Sequence, residues 1–136
     1  MSLSEDAAQH PLTEVSAPGV PDPVPGLFSN AVVADGIVYI SGMHAGGAGP
    51  VPDDMLSQTR EALRRVVALA EAAGAGKERI TKITVYVTSM EDRAAVGQAR
   101  KEVFTGPLPA ATMVQVSGFI DPALKVEVEA VAHLPR

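Results

Sequence analysis

Between Asn30 and Ala132 the apolar residues change their spacing repeatedly, and this succession of periods leaves the chain few architectures. The stretch "NAVVADGIVYISG" holds two short apolar runs on either side of Asp35-Gly36. A type I′ turn needs positive φ at both central positions, which Asp-Gly tolerates, so the pair predicts a hairpin with strands over about 30–34 and 37–41. From Asp54 the period lengthens: Leu56, Thr59, Leu63, Val66, Ala70 and Ala73 recur at spacings of three and four. That pattern predicts a helix over about 54–73. Asp53 or Asp54 can cap its start and Gly74 can end it. Gln58, Glu61, Arg64, Arg65 and Glu71 are expected on its outer face.

Alternation then returns in "RITKITVYVTS", with Ile83, Val85 and Val87 facing one way and Lys82, Thr84, Tyr86 and Thr88 the other. "SMED" has the form of a capping box, Ser89 capping and Asp92 returning a bond to the Ser89 backbone. The helix that follows turns Val96, Ala99, Val103 and Phe104 inward and stops at Gly106-Pro107. Thr112, Val114 and Val116 alternate with Met113, Gln115 and Ser117; after a turn at Asp121-Pro122, Val126, Val128 and Ala130 alternate with Glu127, Glu129 and Val131. These last two strands are expected to form an antiparallel pair. The order β-β-α-β-α-β-β, with both helices on one face of one sheet, predicts an α+β two-layer sandwich. Five of the eleven prolines lie before residue 26, so residues 1–24 are expected to be an irregular arm and 25–136 the folded domain. The sheet face away from the helices, carrying Tyr39, Met113 and Gln115, is too apolar to stay wet, which calls for a closed homo-oligomer.

The chain has no cysteine, which removes disulfides and thiolate chemistry. Its net charge of −5 opposes nucleic-acid binding, whose affinity comes mostly from neutralised phosphates. No basic start precedes an apolar run, and no window approaches the ~18 uninterrupted apolar residues of a membrane span. The expectation is a cytoplasmic protein. His10, His44 and His133 lie too far apart for a metal site, and no metal or other cofactor is expected. "GGAGP" lacks the Lys-Ser/Thr of a phosphate loop and reads as a flexible connection. His44 follows the second strand among glycines that let backbone approach a ligand; it is either a solvent-exposed loop histidine or a ligand contact. Glu127 and Glu129 share one strand face, either at a solvated edge or as partners of Lys125 and arginines, or with one carboxylate drawn into a subunit cleft where desolvation raises its pKa.

The segments "GLFSNAVVADGIVYISGM", "QTREALRRVVALAEAAGAGKERITKITVYVTSMEDRAAV" and "PAATMVQV…LKVEVEAVA" together resemble the RidA family, also called YjgF or L-PSP-like, collinearly from Gly26 to Ala132. The resemblance implies a chorismate-mutase-like subunit in a homotrimer, with a small-molecule cleft at each subunit interface. It also implies hydrolysis of enamines and imines to a 2-oxo acid and ammonia without metal or cofactor. Endoribonuclease labels attached to the family imply RNA cleavage as a third reading, which an acidic chain does little to support. In the deaminating branch the family's segment reads Pro-Ala-Arg-Ser/Thr, its arginine clamping a substrate carboxylate. Here it reads Pro109-Ala110-Ala111-Thr112, so Ala111 stands where the cation should be. Phe28 replaces a tyrosine, and Glu91 an asparagine that opens the second helix. Ser41-Gly42, whose backbone lines the cleft in relatives, Thr112 and Glu127 match the pattern, Glu127 at the residue that helps to hold the attacking water.

Loss of a charge-assisted bidentate contact costs about 1.5–3 kcal/mol in carboxylate binding. Poor activity on ordinary 2-imino acids is therefore expected. Glu127 would act as acid/base, with Phe28, Ser41, Gly42, His44, Glu91, Ala111 and Thr112 around a different, neutral or cationic carbonyl- or imine-type ligand. A non-catalytic metabolite-binding trimer is the alternative. Arg100, Lys82 or Lys125 are the residues available to replace the missing cation.

Overall fold

Strands and helices alternate along the chain in a computed structural model that describes residues 11–136. His10 and the first ten residues of the expected arm lie outside the described residues. The strands are β1 (Thr13–Val15), β2 (Ala31–Ala34), β3 (Ile37–Met43), β4 (Ile80–Val87), β5 (Ala110–Gln115) and β6 (Val126–His133). The helices are α1 (Met55–Ala73) and α2 (Arg93–Val103). All six strands join one sheet in the order β1-β2-β3-β6-β4-β5. The α+β architecture and the order β-β-α-β-α-β-β are as the periods predict. The arm adds one element: Thr13–Val15 leaves its irregular course to pair antiparallel with Ala31–Val33 as an edge strand.

Local chemistry sets the element ends. Asp35 and Gly36 take φ of 51° and 75°, both positive as a type I′ hairpin requires. At the start of α1 the Asp54 carboxylate accepts a hydrogen bond from Ser57 N–H at 2.8 Å. At its end, Ala75 N–H donates to Ala70 O and Gly74 N–H to Glu71 O, the paired bonds of a Schellman cap. The capping box at Ser89 forms only in part. Its hydroxyl accepts from Glu91 N–H at 3.2 Å, closing a 3₁₀ turn over Met90–Asp92, and α2 begins after it. Asp92 becomes the residue preceding the helix and returns no side-chain bond.

The expected antiparallel pairing of the last two strands is not what forms. β5 pairs parallel with β4, and β6 lies antiparallel to both β4 and β3. The reason is the crossover: α2 carries the chain back along the sheet, so β5 re-enters at the same end as β4 and runs beside it. The connection from β5 to β6 then arches over the end of β4, where Val116 N–H donates to Val87 O on one side and Thr88 N–H to Lys125 O on the other. β6 inserts between β3 and β4, with Val126, Val128, Ala130 and Ala132 all buried.

Helices α1 and α2 cover one face, and the core lies between them and Val38, Ile40, Ile83, Val85 and the buried residues of β6. Two outward expectations on α1 are reversed: Gln58 and Arg65 are buried. The Gln58 amide donates to Pro52 O and Ala123 O and accepts from Lys125 N–H, so it ties the loop before α1 and the arch between β5 and β6 to the helix. Thus α1 is covered on a second side by loops, which its helical period does not report.

The open face is also revised at one strand. Parallel partners point the same way, so Ala111, Met113 and Gln115 follow Ile83, Val85 and Val87 toward the helix side. Thr112 and Val114, with Tyr39, Lys82, Thr84, Tyr86, Glu127 and Glu129, form the open face instead. Tyr39 and Val114 remain 46% and 38% exposed there.

Candidate functional site

Gly42 and Glu127 meet at the C-terminal end of β3. The strand breaks register between Ile40 and Met43, and the break brings Gly42 against the neighbouring strand. A Cβ on Gly42 would stand 2.6 Å from the Glu127 carboxyl carbon, so only glycine lets that carboxyl lie on the backbone. Ser41 fixes the same stretch: its hydroxyl donates to Ser29 O at 2.6 Å and its amide to Asn30 O. β6 is an interior strand of the sheet, which excludes the solvated-edge reading of Glu127.

Glu127 is half-buried. Burial raises its pKa above the ordinary glutamate value, and the like charge of Glu129 adds to the rise. Glu129 is engaged by Tyr86, whose hydroxyl donates to it; that bond is the main cause of a raised tyrosine pKa. The two carboxylates predicted to share a face therefore do so, one hydrogen-bonded and the other facing a cleft.

That cleft has a volume of about 490 Å³ and is walled by His44, Gly46 and Gly47 after β3, Phe119, Ile120, Asp121 and Leu124 from the arch over β4, and Glu127. Among the described residues its lining contains no lysine or arginine. His44 Nδ1 accepts a hydrogen bond from Gly46 N–H at 2.9 Å. Desolvation lowers the His44 pKa below the ordinary value, Arg65 lowers it further, and Asp121 opposes them. Among the described residues, no group of three His, Asp or Glu side chains is arranged to hold a metal ion, and no helix is long and apolar enough to cross a membrane.

The remaining sequence-derived candidates lie elsewhere. Thr112 accepts from Lys82 Nζ at 2.7 Å on the open face, in the same row as Thr84 and Glu129. It stands two strand spacings from β6, roughly 10 Å. Ala111 is exposed on the opposite, helix-side face of edge strand β5, and Phe28 and Glu91 are exposed. One chain thus unites Ser41, Gly42, His44 and Glu127, but not Phe28, Glu91, Ala111 or Thr112. Of the possible replacement cations, Lys82 shares the face of Glu127 and is engaged by Thr112. Arg65 and Asp121 were not among the candidates. Arg65 resembles any surface i,i+4 partner of Glu61, and Asp121-Pro122 has the composition of an ordinary turn.

The family model for Endoribonuclease L-PSP matches residues 21–134. The chain belongs to that family. Its solved relatives include a protein of unknown function from Pseudomonas aeruginosa, 37% identical over 90% of this chain and 92% of that one, with a TM-score of 0.83. The YjgF gene product of E. coli is 29% identical over 89% and 98%, with a TM-score of 0.82. E. coli TdcF, solved with bound serine, is 27% identical over 90% and 99%, with a TM-score of 0.84. The RidA/YjgF resemblance read from the three quoted segments is therefore correct, and the sandwich is the fold of this family.

Proposed function

We propose that this protein binds a small metabolite at a cleft completed between copies of the chain in a homotrimer. There it hydrolyses an imine or enamine-type compound other than the usual 2-imino acids. The observation that carries this reading is the Glu127 carboxyl, laid on Gly42 at the wall of a cleft whose lining, among the described residues, includes no lysine or arginine. The serine held by TdcF supports a small polar metabolite as the ligand class.

The chemistry asked of Glu127 is modest. Its carboxylate takes a proton from water as the oxygen attacks the imine carbon, giving a carbinolamine. That proton is passed to nitrogen to complete the carbinolamine, and the carboxylate then carries the hydroxyl proton to nitrogen as well, so that ammonia leaves while the C=O bond forms. The balance is R₂C=NH + H₂O → R₂C=O + NH₃. A carboxyl whose pKa is raised by burial suits both halves near neutral pH. Without an arginine at position 111, and with Glu127 and Asp121 in the walls, an anionic substrate meets repulsion where the deaminating branch offers a fork.

Ammonia release from imines generated in situ tests this. Turnover should be greater for imines of amines without a carboxylate than for those of serine or threonine. Glu127→Gln should lower it by about 10²-fold or more with the fold intact. Gly42→Ala should act similarly, because its methyl group displaces the flexible end of Glu127 rather than backbone. Turnover on serine-derived imine equal to that of an arginine-bearing relative would refute the substrate assignment; an unaffected Glu127→Gln would remove that residue from the mechanism. Ala111 also favours a second reading, a non-catalytic metabolite-binding trimer. A ligand that raises Tm and is recovered chemically unchanged supports that one.

A further inference from the structure

Arg65 is an arginine with only 4% of its surface exposed, buried against the glycine-rich loop after β3. Its Nη1 donates to Gly46 O at 2.6 Å and its Nε to the Glu61 carboxylate at 2.7 Å. The same Gly46, from its amide, donates to His44 Nδ1. A guanidinium on α1 is thus linked through one residue to an imidazole in the wall of the cleft. Gly46 is also close to the ring: a Cβ there would stand 3.1 Å from His44 Cε1 and Nδ1 and would press on it.

The tautomer follows from the donor. A backbone N–H can only donate, so Nδ1 must present its lone pair, and the ring's one proton is on Nε2. Protonating Nδ1 would set two hydrogens against each other and break the bond to Gly46. Three charged groups face the ring from the elements packed around it: Arg65 on α1, Asp121 on the arch over β4, and Glu127 on β6. The lowered His44 pKa is consistent with desolvation and Arg65 outweighing Asp121.

We propose that His44 serves the cleft as a neutral hydrogen-bond donor through Nε2–H, and that buried Arg65 is the positioning residue that holds its loop. The pair selects ligands that present an uncharged acceptor such as a carbonyl oxygen. The role complements Glu127. One side of the cleft accepts and transfers protons, while the other donates a hydrogen bond without releasing its proton. In imine hydrolysis the position suited to such a donor is the oxygen that becomes the product carbonyl. The assignment rests on the proposed cleft being the ligand site, though not on any turnover there.

The test is NMR of the full chain labelled with ¹⁵N-histidine, with isobutyramide, isobutyrate and isobutylammonium as size-matched probes. His44 should show the Nε2–H tautomer and stay neutral as pH falls through about 6.5, where an ordinary histidine protonates. Isobutyramide should shift the His44 Nε2 resonance, and His44→Phe should weaken its binding about ten-fold. His44→Gln, which keeps a donor, should recover part of the loss. Arg65→Met should move the His44 titration up toward the ordinary value. If that variant fails to fold, the wild-type tautomer still decides.

An Nδ1–H tautomer, tighter binding of isobutyrate than of isobutyramide, amide binding unchanged in His44→Phe, or no cleft resonance moved by any probe would each overturn the assignment. None of these measurements reads turnover. A failed His44 assignment therefore leaves Glu127 in place, and a protein inactive on every imine leaves the His44 result standing.

Discussion

Glu127 loses solvation by burial, and the like charge of Glu129, two residues away on the same strand face, adds to the cost of ionising it. Its folded-state pKa lies above the ordinary value of about 4.3, so between the two the native protein keeps a proton that the unfolded chain has lost. The stability linked to this group is fully present below the ordinary value and is lost as pH rises through the raised one. At neutral pH the ionised carboxylate is therefore a net burden on the fold. Glu127→Gln, similar in shape and uncharged, should melt at a higher temperature than wild type at about pH 7.5, with the gap closing as pH falls toward about 4. Thermal unfolding of both proteins over that range checks the sign. A lower Tm for the glutamine variant at pH 7.5 would mean that the ionised group makes stabilising bonds in the fold. That two carboxylates share one face was legible from a period of two. Which of them is desolvated was not, because that depends on the Gly42 contact across strands and on Tyr86 reaching Glu129.

At the scale of elements, periodicity announces what an element is but not what it lies beside. The Asp35-Gly36 hairpin and α1 with its Asp54 and Gly74 ends were legible because each is specified within a few residues. The pairing of β5 with β4 was not, since a short connection such as 116–125 reads as a hairpin unless the strand it must arch over is known. Gln58 and Arg65 were misplaced for a related reason: a helical wheel sees the sheet but not the loops. Gln58 is the clearer case. Its amide satisfies three backbone groups, Pro52 O, Ala123 O and Lys125 N–H, so that the start of α1 and the arch over β4 hang on one side chain. Gln58→Ala should destabilise the protein by about 3–5 kcal/mol, from backbone groups left unpaired and a cavity beside them. Chemical denaturation measures it, and a loss under about 1 kcal/mol would show that water replaces the amide. The same variant should loosen Phe119, Ile120 and Asp121, which hang from that arch into the cleft.

At the scale of the whole molecule the deciding feature, among the described residues, is a sheet with helices on one face only. Tyr39 and Val114 are exposed on the other. The described residues of one subunit leave these side chains uncovered and hold Ala111 and Thr112 apart from Glu127. The proposed trimer would remedy both, a second copy bringing its β5 edge to the cleft of the first around a three-fold axis. Light scattering should then give three times the 14.1 kDa of one chain. Tyr39→Glu adds a carboxylate to a face that already carries Glu127 and Glu129, and desolvating a third one there is unfavourable. That variant should shift the protein toward monomers and lose its ligand response together with its mass. A wild-type chain that stays monomeric at all concentrations would leave the open face unexplained and the cleft without its other wall. A Tyr39→Glu monomer that still bound ligand as wild type does would place the whole site within one chain.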